Sequence, residues 1–218
     1  MNFLQASISA GALLLSVGAV SAGTVNFGLP GDVTSGIGSA TGTFDAGFLS
    51  GSLTADAGVF GNPSLTQDAT NGLGISAGFF DSDPAIEGQG RNETLTVSFD
   101  SVATILGITA GFVDSLDEWT ITVFGTGGDQ TFSASAASTG PSPYTLGFGT
   151  GIEATGFEIF ADGGVCEARG LFGICTDFNE HDVSLHSFEV APVPLPAAGW
   201  MLLAGVGGLF AARRRKNA

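Results

Sequence analysis

Three stretches of this chain alternate apolar and polar residues one by one, and that period most restricts what it can become. Leu95, Val97 and Phe99 alternate with Thr94, Thr96 and Ser98; Trp119, Ile121 and Val123 alternate with Thr120 and Thr122; Phe157 and Ile159 alternate with Gly156 and Glu158. A period of two puts each set on its own face of an extended strand, one face inward. The 35 glycines of the chain argue the same way, because glycine costs about 1 kcal/mol against alanine inside a helix. Further candidate strands are residues 24–28, 53–60, 73–80, 104–113, 130–136, 144–148 and 183–190, with turn signals such as Asp81-Ser82-Asp83-Pro84 and Gly140-Pro141-Ser142-Pro143 between them. About ten short strands punctuated in this way predict an all-β chain, a single antiparallel β-sandwich of the jelly-roll kind. Residues 28–51 are dense in Gly, Ser and Thr and read as loop or weak edge strand.

The two ends are different in kind. Residues 4–22 are apolar and small and end in Val20-Ser21-Ala22 before Gly23. This predicts a signal peptide over residues 1–22, cleaved between Ala22 and Gly23, although Met1-Asn2-Phe3 lacks the usual basic residue. At the other end Val193-Pro194-Leu195-Pro196-Ala197 precedes an apolar run over residues 198–212 and then Arg213-Arg214-Arg215-Lys216. The run alone, as a helix, covers roughly 22 Å of a bilayer core of about 30 Å. Counted from Leu195 it reaches roughly 27 Å, so residues 195–212 are expected to span as a transmembrane helix. The four cations would stay on the cytoplasmic side and everything before residue 193 outside. A packed amphipathic helix would need a polar face, and residues 199–212 have none.

Those three consecutive parts resemble the VPLPA-type PEP-CTERM sorting signals of exported proteins of Gram-negative bacteria. The resemblance covers residues 193–218. It implies recognition by an exosortase, a membrane-embedded cysteine protease, with cleavage near Pro196 or Ala197 and delivery to the cell surface or exterior. More loosely, Gly72-Leu73-Gly74-Ile75, residues 81–87, Asn92-Glu93-Thr94-Leu95 and residues 113–117 resemble a recurring ectodomain of PEP-CTERM proteins, which again implies a β-sandwich. The expected organisation is therefore a signal peptide (1–22), an ectodomain (23–190), a Pro-rich linker (191–196) that overlaps the motif, and the sorting signal (193–218).

All 21 acidic residues fall in the ectodomain, where the only cations are Arg91 and Arg169, a formal charge of −19. Such a surface repels nucleic acid and anionic membranes and is compatible with divalent cations or basic partners. Cys166 and Cys175 are the only cysteines. In an oxidising compartment they are expected to close a short disulfide loop, since a zinc site would need more soft ligands.

Four groups could carry chemistry. Asp81, Asp83, Glu87, Asn92 and Glu93 gather hard oxygen ligands in one loop, with Asp114, Asp117 and Glu118 after the next strand able to approach it. Calcium takes six to eight such oxygens, so a structural calcium ion is a candidate, although Ile86 stands where an EF-hand needs glycine. Gly74-Ile75-Ser76-Ala77-Gly78 fits the G-x-S-x-G elbow of hydrolases, but without the helical pattern that must follow. His181 and His186, five apart, would point to opposite faces of a strand and read as solvated strand-end residues rather than ligands or a general base. For stacking against sugar the ectodomain offers Trp119, which reads as core, and Tyr144, while its phenylalanines read chiefly as packing.

The sequence thus predicts a non-enzymatic exported surface or matrix protein with no required cofactor. Its partners would be the secretion machinery, an exosortase, the membrane through its C-terminal helix, and an extracellular polysaccharide. A calcium-dependent or carbohydrate-binding module is the alternative, and a hydrolase through Ser76 or an acid pair the third reading.

Overall fold

Two strands of 18 residues organise the domain: β8 (Thr94–Gly111) and β11 (Tyr144–Ala161). The structure is a computed structural model that describes residues 22–58, 62–77, 85–87, 93–113, 117–135, 143–161 and 181–191, and the backbone alone of 166–169 and 175–178. All side chains discussed below lie in one compact unit, Ala22–Val193. Every named element among the described residues is a strand, and the larger assembly is a curled, predominantly antiparallel sheet of 12 strands.

Because β8 and β11 are so long, each serves two groups of neighbours. The first half of β8 pairs with β4 (Ser50–Asp56), which pairs with β3 (Thr41–Asp45) and through it with β2 (Val33–Ser35). Its second half pairs with β14 (Asp182–Val190), whose other side takes β1 (Gly23–Asn26), β6 (Gly72–Ser76) and the two-residue β7 (Ile86–Glu87). The end of β11 pairs with β9 (Glu118–Gly125), followed outward by β10 (Gln130–Ser135).

The expected strands 94–99 and 104–113 are therefore one strand, as are 144–148 and 157–159. The polar stretch Asp100-Ser101 and the pair Gly149, Gly151 fall between those expected strands. In the fold they are places where the β8–β11 ladder lapses, over 99–102 on β8 and 148–151 on β11, without ending either strand. Gly149 and Gly151 take positive φ (62° and 89°) there, which glycine adopts at little cost. Bulged, bent strands of this kind let a sheet turn a corner.

Residues 28–51, read as loop or weak edge strand, hold β2, β3 and the start of β4, and Phe44 is 1% exposed in the core. The segment between β2 and β3 closes the curl. Ala40 accepts a bond from the Ala55 N–H (2.8 Å), and Gly38 and Ser39 exchange bonds with Leu65 (2.9 and 2.8 Å) of β5 (Ser64–Asp68), the partner of β6. Hydrogen bonds thus run from β8 through β4, this segment, β5, β6 and β14 back to β8.

Inside the curl, Phe27, Phe44, Phe99, Phe157 and Phe188 pack ring against ring. Phe188 is the hub, its centroid 5.3–6.0 Å from the other four. Such pairs add about 0.5–1.5 kcal/mol each to the burial of the rings. Elsewhere in the core Trp119 meets Tyr144 edge to face (5.8 Å, 76°). The outward positions of the same strands carry hydroxyls. One row crosses six strands in register, Thr41, Thr54, Thr96, Glu158, Thr122 and Thr131, on β3, β4, β8, β11, β9 and β10.

Candidate functional site

Buried polar residues gather where β7, β9 and β14 begin and the chain enters β8. Glu93 (0% exposed) sends its Oε2 to the Glu87 N–H (2.9 Å), while the Glu87 carbonyl accepts the Glu93 N–H (3.1 Å). Asp117 (2% exposed) stands just before β9, and its Oδ1 accepts the Asp182 N–H (3.1 Å). Asp182 lies directly across from Glu87 in the β7–β14 pairing. The corner therefore joins Glu87 and Glu93 from the loop expected to bind calcium to Asp117 from the second acidic group. In each case a carboxyl oxygen satisfies a backbone N–H that its strand end leaves over.

His181 belongs to the same corner, and the reading of it as a solvated residue is wrong. It is 4% exposed, and its Nδ1 accepts the Glu118 N–H at 3.3 Å. A bond accepted at Nδ1 puts the proton of the neutral ring on Nε2. His181 precedes β14, whereas His186 lies within it, half-buried, with its carbonyl accepting the Phe27 N–H (2.9 Å). Among the described residues no group of three or more His, Cys, Asp or Glu side chains is arranged to hold a metal ion. Asp81, Asp83 and Asn92 lie outside the described residues, as does Asp114.

Ser76 ends β6, and its carbonyl accepts the Ser64 hydroxyl (3.4 Å) across the β5–β6 pair. The residues after Ala77, where an elbow would need its helix, lie outside the described set. Cys166 and Cys175 fall on the facing strands of a separate hairpin, β12 (Cys166–Arg169) and β13 (Cys175–Phe178); Cys166 stands across from Phe178 and Cys175 across from Arg169. Gly23 opens β1 across from Val190. The motif Val193 to Ala197, the span and Arg213 to Lys216 lie outside the described residues.

Trp119 is core, 1% exposed, with its indole N–H unpartnered. Phe48, 46% exposed, precedes β4, while on the outer face of β9 and β11 stand Phe124 and Phe160, both half-buried. They flank Glu158, which lies two residues before Phe160 and opposite Thr122, itself two before Phe124. Reading the phenylalanines as packing overlooked them, yet the signal was present. The alternation that sends Trp119, Ile121 and Val123 inward sends Phe124 outward, and the one that buries Phe157 and Ile159 exposes Glu158 and Phe160.

The chain matches no protein-family model, no curated protein and no solved structure.

Proposed function

We propose that this is an exported, non-enzymatic protein of the cell surface or extracellular matrix, whose ectodomain is an acidic β-sandwich of the jelly-roll kind and whose C-terminal tail is read and removed by an exosortase. The observation that carries the reading is the tail itself: Val193-Pro194-Leu195-Pro196-Ala197, an apolar run just long enough to span, and four successive cations, in that order. A small-residue cleavage site at Ala22 and Gly23 supports export from the other end. An ectodomain at −19 with hydroxyl-rich outer strands suits a protein kept soluble by self-repulsion outside the cell. The two long bent strands and the curled sheet are compatible with a sandwich whose corners are turned within strands.

Replacing both Pro194 and Pro196 by alanine tests the processing step in cells that carry the exosortase. The reading expects the wild-type chain in the surface or medium fraction and the double variant held in the membrane fraction with its tail intact. Equal release of both would contradict it. A calcium-binding role is the second reading: Glu87 and Glu93 of the expected loop share the β7–β14 corner with Asp117, although among the described residues no three acidic side chains are arranged to hold a metal ion. Melting of the exported protein at millimolar calcium and in chelator tests it, and equal melting temperatures would remove it.

A further inference from the structure

We infer that the outer face formed by β8, β11, β9 and β10 binds an extended neutral polysaccharide, with Phe124 and Phe160 as stacking platforms and Glu158 between them. The inference rests on the proposal that the domain works outside the cell, and it assigns that domain a ligand. Four observations place the groups. Glu158 faces outward between Thr96 on β8 and Thr122 on β9. Phe160 lies one pleat along β11 on the same face, opposite Thr120, and Phe124 lies one pleat beyond Thr122 in the other direction. Both residues are half-buried. Around them the hydroxyls of Thr120 and Ser133, and of Thr122 and Thr131, meet in pairs at 3.4 Å.

The spacing decides the class of ligand. At about 3.4 Å per residue, four positions along the strands separate the two rings by about 14 Å. That is too far for one sugar ring to touch both, and it suits a chain of sugars lying along the strands. The apolar C–H face of a pyranose covers a phenyl ring, and its hydroxyls find an acceptor in Glu158 and donor-acceptor groups in the flanking threonines. Charge decides the rest. A face centred on Glu158, in a domain at −19, repels polyuronates and sulfated chains and leaves neutral glycans.

The test is retardation of the exported protein in native gels cast with a neutral β-glucan, hydroxyethylcellulose or mannan, compared with gels cast with polygalacturonate. We expect retardation by at least one neutral polymer, none by polygalacturonate, and no loss of retardation in 0.5 M salt, roughly five times the salt at which exposed charges are already screened beyond about 10 Å. Phe124→Ala and Phe160→Ala should each weaken binding by up to about tenfold, and Phe160→Tyr should restore it. Glu158→Gln should weaken binding by a similar factor, by removing a charged acceptor. Circular dichroism and melting temperature of each variant report whether it is folded. No retardation by any neutral polymer, binding that polygalacturonate shares or salt abolishes, or binding unchanged in a folded Phe124→Ala, Phe160→Ala double variant would each overturn the inference. Export and tail removal are read from other measurements, so a negative result here leaves that proposal standing.

Discussion

Two faces of the same strands carry opposite kinds of residue. On the inner face of the curled sheet four phenylalanine rings meet around Phe188, and the positions next to them along β8 and β11 are Leu95, Val97 and Ile159. On the outer face, one residue away in sequence, stand Thr94, Thr96, Ser98, Glu158 and Phe160. The inner face gains its free energy by removing rings from water; the outer face keeps hydroxyls hydrated and leaves two rings partly exposed. Stability and recognition can therefore change independently here, because a substitution on one face does not reach the other through the pleat.

The largest effect that would break this contrast is at the inner hub. Phe188→Ala should cost about 3–5 kcal/mol in denaturant unfolding, since four neighbouring rings cannot all collapse into the space. A loss below about 1 kcal/mol would mean the cluster does not hold the curl. Next comes the polar corner. Asp117→Ala removes the acceptor of the Asp182 N–H in a buried place and should cost about 1–3 kcal/mol. Asp117→Asn, which keeps an oxygen there, should cost less by the same measurement.

A smaller effect tests the outer turns. Asp68, the last residue of β5, accepts the N–H groups of Asn71 and Thr70 at Oδ1 (2.9 and 2.8 Å), and these bonds hold its carboxyl below the usual carboxylate range. Its folded pKa is depressed, so its contribution is present above the unfolded value and is lost as the pH falls through the folded one. Asp68→Ala should therefore lower the melting temperature slightly at neutral pH, with the gap to wild type closing in strong acid. A gap that persists unchanged at low pH would assign the effect to the turn rather than to the charge. The smallest effect belongs to the hydroxyl rows. Thr122→Val, on the outer face, should change stability by no more than about 0.5 kcal/mol.

Alternation made the strand interiors legible. Leu95 and Val97 on β8, Trp119, Ile121 and Val123 on β9 and Phe157 and Ile159 on β11 are buried as their period predicts. What alternation could not show was continuity. Asp100 and Ser101, or Gly149 to Gly151, carry turn chemistry, and only the neighbouring strands show that the chain bends there and continues. The Gly- and Ser-rich segment 28–51 hid β2 and β3 for a related reason. Its strands present single inward residues such as Phe44 between small ones, too sparse for a periodic signal. His181 was misread because two histidines in a polar stretch look solvated, and its burial depends on Glu118, 63 residues away. Of the proposed binding face, Glu158, Phe124 and Phe160 were legible in principle as the outward half of patterns read only for their inward half.

The account's central claim is that this chain is exported and trimmed, and the intact mass of the protein recovered from the medium or cell surface tests it most directly. The account predicts a chain that begins at Gly23 and ends within Val193 to Ala197, without residues 198–218. A recovered chain that still ends at Ala218 would contradict removal of the tail, and one that still begins at Met1 would contradict export through a cleaved signal peptide.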